Sequence, residues 1–317
     1  MDEIENSHLT EIASSNSSVA PERVRRSGEG RLSFGTGLAK WYLSLSPAFP
    51  PSYYSSYRPL VRAQEEYRDE LEGGFLKWFD NLDLRLKSIL DLGSGFGGRT
   101  VRYRELGAAQ AVGLEITLPA AADGHRFAKS RSADVGFTVG IGEALPFADN
   151  SFDIMTSYDV FEHVSDLAKV LDECWRVLKP EGVLYAVFPP FYHPTGSHFE
   201  GYVSKMPYAN VLFPCKTLTK AVHLILSERG DGYRPQRLRP GDKLSSLNGV
   251  TISSFSNLLK RSPFLHRSVK YAPLFSPLNS RWNRWRMKYY AFLFSPLRRI
   301  PLVRELFVHR IVCELRK

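Results

Sequence analysis

The 317-residue chain lacks several features whose absence narrows its class. No apolar run approaches the ~18 residues of a membrane-spanning helix. There are three cysteines, Cys174, Cys215 and Cys313, far apart and odd in number. They spell neither a disulfide framework nor a zinc-ligand spacing. The first residues, MDEIENSHLTEIASSNSSVAPERVRR, have no apolar core of a secretory signal, so a reducing, cytoplasmic compartment is expected. Acidic residues are missing locally as well. The stretch RWNRWRMKYYAFLFSPLRRIPLVR (281–304) carries Arg281, Arg284, Arg286, Lys288, Arg298, Arg299 and Arg304 without one carboxylate.

What is present is ordinary for a globular protein: 43% hydrophobic and 24% charged residues, with a net charge of +9 concentrated late in the chain. Residues 1–30, rich in Ser, Asn and charge, cannot offset their ordering entropy and read as a disordered tail. Residues 31–87 read as a helical and irregular cap. Within them residues 31–60, aromatic and proline-broken (WYLSLSPAFPPSYYSSYRPL), are a packed irregular segment, and 61–82 is a helix broken at Gly73-Gly74. From residue 88 strands and helices alternate. SILDL (88–92), QAVGLEI (110–116), VGFTVGI (135–141), SFDIMTSYD (151–159) and GVLYAVFPP (182–190) are the expected strands. Helices are expected over RTVRYRELGA, HRFAKSRSA and DLAKVLDECWRVLKP, the last stopped by Pro180. This spacing predicts right-handed βαβ units on a parallel sheet over 88–190. An aromatic insertion (191–250) follows. A helix (251–262) and two strands (266–275 and 306–317) complete the same domain.

The loop after the first strand, DLGSGFGGRT, satisfies a G-x-G-x-x-G spacing at Gly93, Gly95 and Gly98, a weak signal by itself. Asp91, two residues before Gly93, would repel a phosphate at the following helix N-terminus. A ligand with an ammonium group and a carboxylate suits it better, the carboxylate taking the N–H groups of the Gly93–Gly95 turn. Glu115 ends the second strand 22 residues after Gly93, at the spacing where an acid accepts from ribose hydroxyls. S-adenosylmethionine (SAM) combines these groups.

At GEALPFADNSFDIMTSYDVFEHV (142–164) the sequence resembles the class I SAM-dependent methyltransferases, and specifically the type 11 methyltransferase family. The marks are DLGSG (91–95), Glu115, EALPFADNSFD (143–153) and LKPEG (178–182), in that order, spanning about 88–190. The resemblance implies a Rossmann-like, doubly wound, mostly parallel α/β sheet with an antiparallel C-terminal edge strand. It implies SAM as cofactor, with Asp91, Gly93, Ser94 and Gly95 at the methionine moiety and Glu115 and Ile116 at the ribose. Gly142, Glu143 and Ala144 would line the adenine, and Asp159 the methyl-donor region. Where the family often has an acid facing the adenine amino group, this chain has Ile141, and Glu143 is the candidate to replace it.

Methyl transfer needs the acceptor held at attack distance in a dry site, and an oxygen nucleophile gains from a general base. His193 and His198 lie in the aromatic loop after the fifth strand, where open α/β sheets bind their ligands. Together with His163 and Asp159 they are the candidate catalytic residues. Asp149 and Asp153 read as structural, and Cys215 as a small buried apolar group. His193 and His198 have no supporting Cys or carboxylate pattern, so no metal is expected. The acceptor expected is a small molecule, free or linked to glycan or lipid. The segment 281–304 is a packing helix, a membrane-surface contact or, last in order, a nucleic-acid contact. An RNA methyltransferase, a non-catalytic SAM-fold partner subunit and a nicotinamide oxidoreductase remain as alternatives.

Overall fold

The computed structural model describes residues 33–47, 59–198, 203–229, 247–274, 296–297, 300 and 303–317. The expectations for residues 1–30, for parts of the 191–250 insertion and for most of 281–304 lie outside these residues. Gly35–Lys317 form one compact unit, which holds every strand among the described residues.

Seven strands form one mixed sheet: β1 (Ser88–Leu92), β2 (Gln110–Glu115), β3 (Gly136–Val139), β4 (Phe152–Tyr158), β5 (Leu178–Phe188), β6 (His266–Pro273) and β7 (Val308–Arg316). Their order is β3-β2-β1-β4-β5-β7-β6. β1 to β5 run parallel, and β7 runs antiparallel between β5 and β6, so the C-terminal edge of the sheet is the antiparallel one. This is the doubly wound class I methyltransferase architecture. Because parallel strands are covered on both faces, they read as apolar runs: all five residues of β1 are buried. Alternate side chains feed two cores. Leu184, Ala186 and Phe188 of β5 face one cluster with Leu90 and Met155, while Val183, Tyr185 and Val187 face another with Ile89, Phe75 and Tyr103.

The flanking helices are α1 (Phe34–Ser44), α2 (Pro59–Leu71), α3 (Gly98–Glu105), α4 (Leu118–Ser130), α5 (Leu167–Val177), α6 (Ala209–Leu212), α7 (Cys215–Arg229) and α8 (Ile252–Arg261). Asp166 caps α5 by accepting from the N–H groups of Ala168 and Lys169. Thr251 and Ser254 form a reciprocal capping box on α8. The described residues contain no helix long and apolar enough to cross a membrane.

Several elements differ from the sequence reading for identifiable reasons. The segment read as irregular contains α1, because its prolines fall only at Pro47 and beyond. The insertion is largely helical where described, with Ala221, Val222 and Leu226 of α7 packing on Ala39 and Leu43 of α1. α4 starts seven residues earlier than its apolar pattern suggested, with Pro119 in its first turn where a missing N–H costs nothing. α5 stops at Val177, before Pro180, and β5 begins at once. Proline disfavours helical backbone at the residue before it, which turns Lys179 into the strand. The β4–β5 register shifts there, between the pairs Phe152–Leu178 and Ile154–Val183.

The third glycine of the loop has a packing task. A Cβ at Gly98 would stand 2.0 Å from the Ala63 carbonyl oxygen and 2.6 Å from the Tyr67 nitrogen. α2 therefore lies on α3 at a distance only glycine permits. Gly98→Ala is expected to cost roughly 1–3 kcal/mol of unfolding free energy by urea titration. An unchanged midpoint would show that α2 does not rest on this position.

Candidate active site

The parallel strands deliver their carboxyl ends to one edge of the sheet, where ligands of open α/β folds bind. The glycine loop occupies that edge after β1, and its N–H groups are already spoken for. Gly93 and Ser94 donate to the Leu114 carbonyl at 2.8 and 3.0 Å, and Gly97 donates to Ser94 O at 3.0 Å. Gly95 donates to Glu115 Oε2 at 3.1 Å. Phe96 and Gly98 donate to the two carboxylate oxygens of Glu66, at 3.1 and 3.0 Å. Gly93 is required because a Cβ there would stand 2.2 Å from Val160. Ser94 is fully buried.

Asp91 is 1% exposed, and its oxygens accept from the hydroxyls of Thr100 (2.7 Å) and Thr156 (3.0 Å). Burial raises its pKa against the pull of the neighbouring Arg99. Asp91 therefore ties β1 to α3 and β4 at the start of the loop. Glu115, by contrast, is half-buried and accepts also from Thr117 N at 3.3 Å. Beyond it the edge is apolar and open: Ile116, Leu118 and Ile141 are 67%, 68% and 46% exposed. Gly140 donates to the Glu115 carbonyl at 3.1 Å, which brings the ends of β2 and β3 together.

Glu143 Oε1 accepts from Ser165 N (2.7 Å) and Asp166 N (3.2 Å) ahead of α5. Gly142 is buried, and Ala144 is exposed beside it. The motif EALPFADNSFD is held from α5. Glu173 accepts from Leu145 N, and Arg176 donates to the carbonyls of Leu145 and Phe147 and to Asp149. Asp153 accepts from Ser88 N and Lys179 Nζ, so both aspartates are structural as read. Cys215 is only partly buried.

The ends of β4 and β5 gather the remaining candidates and add residues the sequence reading missed. Asp159, with φ +58°, is not a free base, because Arg310 donates to its carboxylate. Arg310 also lies 5.6 Å over the Tyr158 ring. His193 is buried and separate from His198. Its Nδ1 accepts from Thr195 N at 3.3 Å, and its Nε2 lies 2.9 Å from His309 Nδ1. Burial first, then the nearby His309 and Arg310, depresses His193 well below its ordinary range. Burial and Arg310 push His309 down to about 3. Both rings are neutral at physiological pH. His198 instead meets His163, their ring centroids 5.0 Å apart, next to Glu162. Burial, then Asp159, raises Glu162 well above the usual carboxylate range. His309 and Arg310 escaped notice because they open a late strand; only the reversal of β7 brings them to this edge. Glu162 was hidden inside the motif VFEHV, and Glu66 in an ordinary charged helix.

Comparison with known proteins agrees with this architecture. Residues 90–186 match the family model described as a methyltransferase domain. The demethylmenaquinone methyltransferase of Thermus thermophilus is 37% identical over 125 residues, 37% of this chain and 57% of that one. An uncharacterised methyltransferase of Mycobacterium leprae is 26% identical over 229 residues, 72% of this chain and 71% of that one. The chain spans about half the length of the first curated relatives it matches. A solved SAM-dependent methyltransferase from Mesorhizobium loti overlaps 75% of this chain and 94% of its own, at 17% identity and a TM-score of 0.47, too distant to carry residue roles.

Glu66 links the cap to the loop and titrates in an informative range. Burial raises it to about 7 from 4.5, against the lowering effect of Arg99 and the two N–H donors. A carboxyl raised on folding contributes stability that is full below about pH 4.5 and is lost as pH rises through about 7. Glu66→Gln, which cannot ionise, removes that loss. Urea titrations at about pH 5 and about pH 8 are expected to show the variant gaining on the wild type at the higher pH. A stability difference equal at both pH values would refute the assignment. With the glycine loop, the ribose-spaced Glu115 and the strand order in place, residues 90–186 match the methyltransferase-domain family, on a sheet of the class I methyltransferase order.

Proposed function

We propose that the chain transfers a methyl group from SAM to an oxygen of a small-molecule acceptor, free or linked to lipid or glycan. The observation that carries this reading is the division of the carboxyl edge. Its β1–β3 half offers an acid beside an open apolar step, and its β4–β5–β7 half offers buried imidazoles and a paired arginine.

The residues present fit SAM at its nucleoside end. Glu115 keeps acceptor capacity for ribose hydroxyls, and Ile116 and Ile141 supply exposed apolar surface that a flat base would cover. The methionine end would lie over Gly95, where the Glu115 contact to the loop can be exchanged. When bound, SAM supplies an electrophilic methyl carbon with a neutral leaving group.

On the acceptor side, the hydrogen bonds assign the tautomers. Thr195 N–H donates to His193 Nδ1, so the neutral His193 carries its proton on Nε2 and donates to His309 Nδ1. Neutral His309 then carries its proton on Nε2 and is a donor. The pair orients the acceptor oxygen through a hydrogen bond to its anionic form; the oxygen's proton passes to water, not to the pair, before the methyl is transferred. Arg310 cancels the charge of Asp159, so the acceptor side presents no uncompensated carboxylate there.

Relatives named demethylmenaquinone methyltransferases place that molecule among the acceptors worth trying. The deciding measurement is calorimetry: SAM is expected to bind and NAD to give no heat. Glu115→Ala is expected to weaken SAM at least about tenfold, the order of one lost charge-assisted bond. NAD binding, or unchanged SAM affinity in Glu115→Ala, would overturn the cofactor placement. With an acceptor found by a SAM-dependent mass gain of one methylene in extracts, His309→Ala is expected to lower turnover at least about tenfold. The pH profile should show no break near the ordinary histidine value from this pair. Unaltered turnover would remove the pair from the acceptor site.

A further inference from the structure

A second cluster at the same edge has the composition of a metal site. Glu162, His163 and His198 each offer one ligand atom, and these atoms lie within 4.8 Å of one another. The turn that presents the first two is pinned from outside. Phe161 is fully buried, and Asn248 Nδ2 donates to the carbonyls of Phe161 (2.6 Å) and Val164 (3.0 Å). Asn248 N donates to the Glu162 carbonyl at 2.9 Å. His198 comes from the other side, at the end of a turn in which its N–H bonds Thr195 O at 2.9 Å.

The decisive observation is the Glu162 side chain. The residue is 3% exposed, and neither carboxylate oxygen has a hydrogen-bond partner. Buried polar groups are nearly always satisfied, and an orphaned carboxyl is among the costliest exceptions. His163 Nε2 stands 3.7 Å from Glu162 Oε1, too far for a hydrogen bond. That separation suits two ligands of one ion. Bonds of ~2.1 Å in tetrahedral arrangement put neighbouring ligand atoms about 3.4 Å apart.

We propose that Glu162, His163 and His198 bind a divalent transition cation of the zinc class. Two imidazoles and one carboxylate are the donor set such ions take from proteins, and three ligands leave a coordination position open. Glu162 and His198 also line a pocket with Pro189, Phe191, Leu247 and Gly249, through which the open position would be reached. The sequence reading expected no metal because it paired His198 with His193. The fold instead gives His193 to His309 and sets His198 against a histidine and a glutamate that follow β4.

The test uses the untagged full-length chain, stripped with chelator and titrated with Co2+ under visible spectroscopy. The expected result is a saturable d–d absorption with one ion per chain, displaced by Zn2+. His198→Ala and His163→Ala are expected to weaken binding at least tenfold with an unchanged far-UV spectrum. His193→Gln should bind as the wild type does, which separates this cluster from the neighbouring histidine pair. Glu162→Gln should also lose binding, but His198→Ala, in a half-buried turn, keeps the test valid if that variant fails to fold. Absence of saturable absorption in the wild type, or a wild-type titration by His198→Ala, overturns the proposal. The readout is independent of methyl transfer, so its failure and that of the proposed activity are distinguishable.

Discussion

One buried guanidinium holds the glycine loop in place. Arg99, 8% exposed, lies under the loop with Nε 3.4 Å from Glu70 Oε2 and its plane 4.7 Å over the Tyr158 ring. Its charge also faces Asp91 and Glu66. Burial raises all three carboxyls, since one cation cannot compensate three anions in a region poor in water. Each carboxyl therefore takes on local donors: Asp91 two hydroxyls, Glu66 two loop N–H groups, Glu70 the N–H groups of Phe75 and Leu76. Removing one member of such a set leaves the others uncompensated, so α2, the loop and α3 are coupled. The matched family segment begins at residue 90, yet the loop at its start is completed by a helix from outside it.

A second constraint is the reversal of β7. Parallel strands deliver only their carboxyl ends to the ligand edge. A strand running the other way delivers its amino end. Pairing of Phe188 with Ile311 sets His309 and Arg310 just past the end of β5, beside Tyr158, Asp159 and His193. The last strand thus does more than close the sheet. Its first residues pair with Asp159 and set His309 Nδ1 2.9 Å from His193 Nε2.

The sheet was legible in the sequence because its strands are apolar runs set between glycine and proline stops. SILDL, QAVGLE and VLYAVF announce themselves by composition, and the spacing of DLGSG to Glu115 follows from the length of one helix. What was not legible depends on contacts between distant segments. Nothing local says that Thr156 and Arg99 will close over Asp91. The hydrogen bonds of Glu143 to Ser165 and Asp166 likewise depend on where α5 begins. The pairing of histidines failed for the same reason. His193 and His198 are five residues apart, yet positive φ at His198 and the fold of the loop send them to different partners. Helix α1 was missed because prolines follow it closely, and α7, with neither proline nor aromatic residue, was passed over within a segment read by its aromatic start.

The edge of the sheet is therefore divided by electrostatics as well as by strand order. Around the loop, carboxyls outnumber cations and burial pushes each toward its neutral form. Past β4 and β5 the imbalance reverses in kind: imidazoles crowd together, and burial beside Arg310 keeps the His193–His309 pair uncharged. Glu162 stands between these regions, with Asp159 raising its pKa further and Arg310 opposing that rise only in part. A carboxyl in that position is stable as a neutral acid or as the ligand of a cation, and it is poorly suited to stand alone as an anion. Its two neighbouring imidazoles supply the other ligands for the second state. The same burial that silences one histidine pair thus sets the other beside the Glu162 carboxyl.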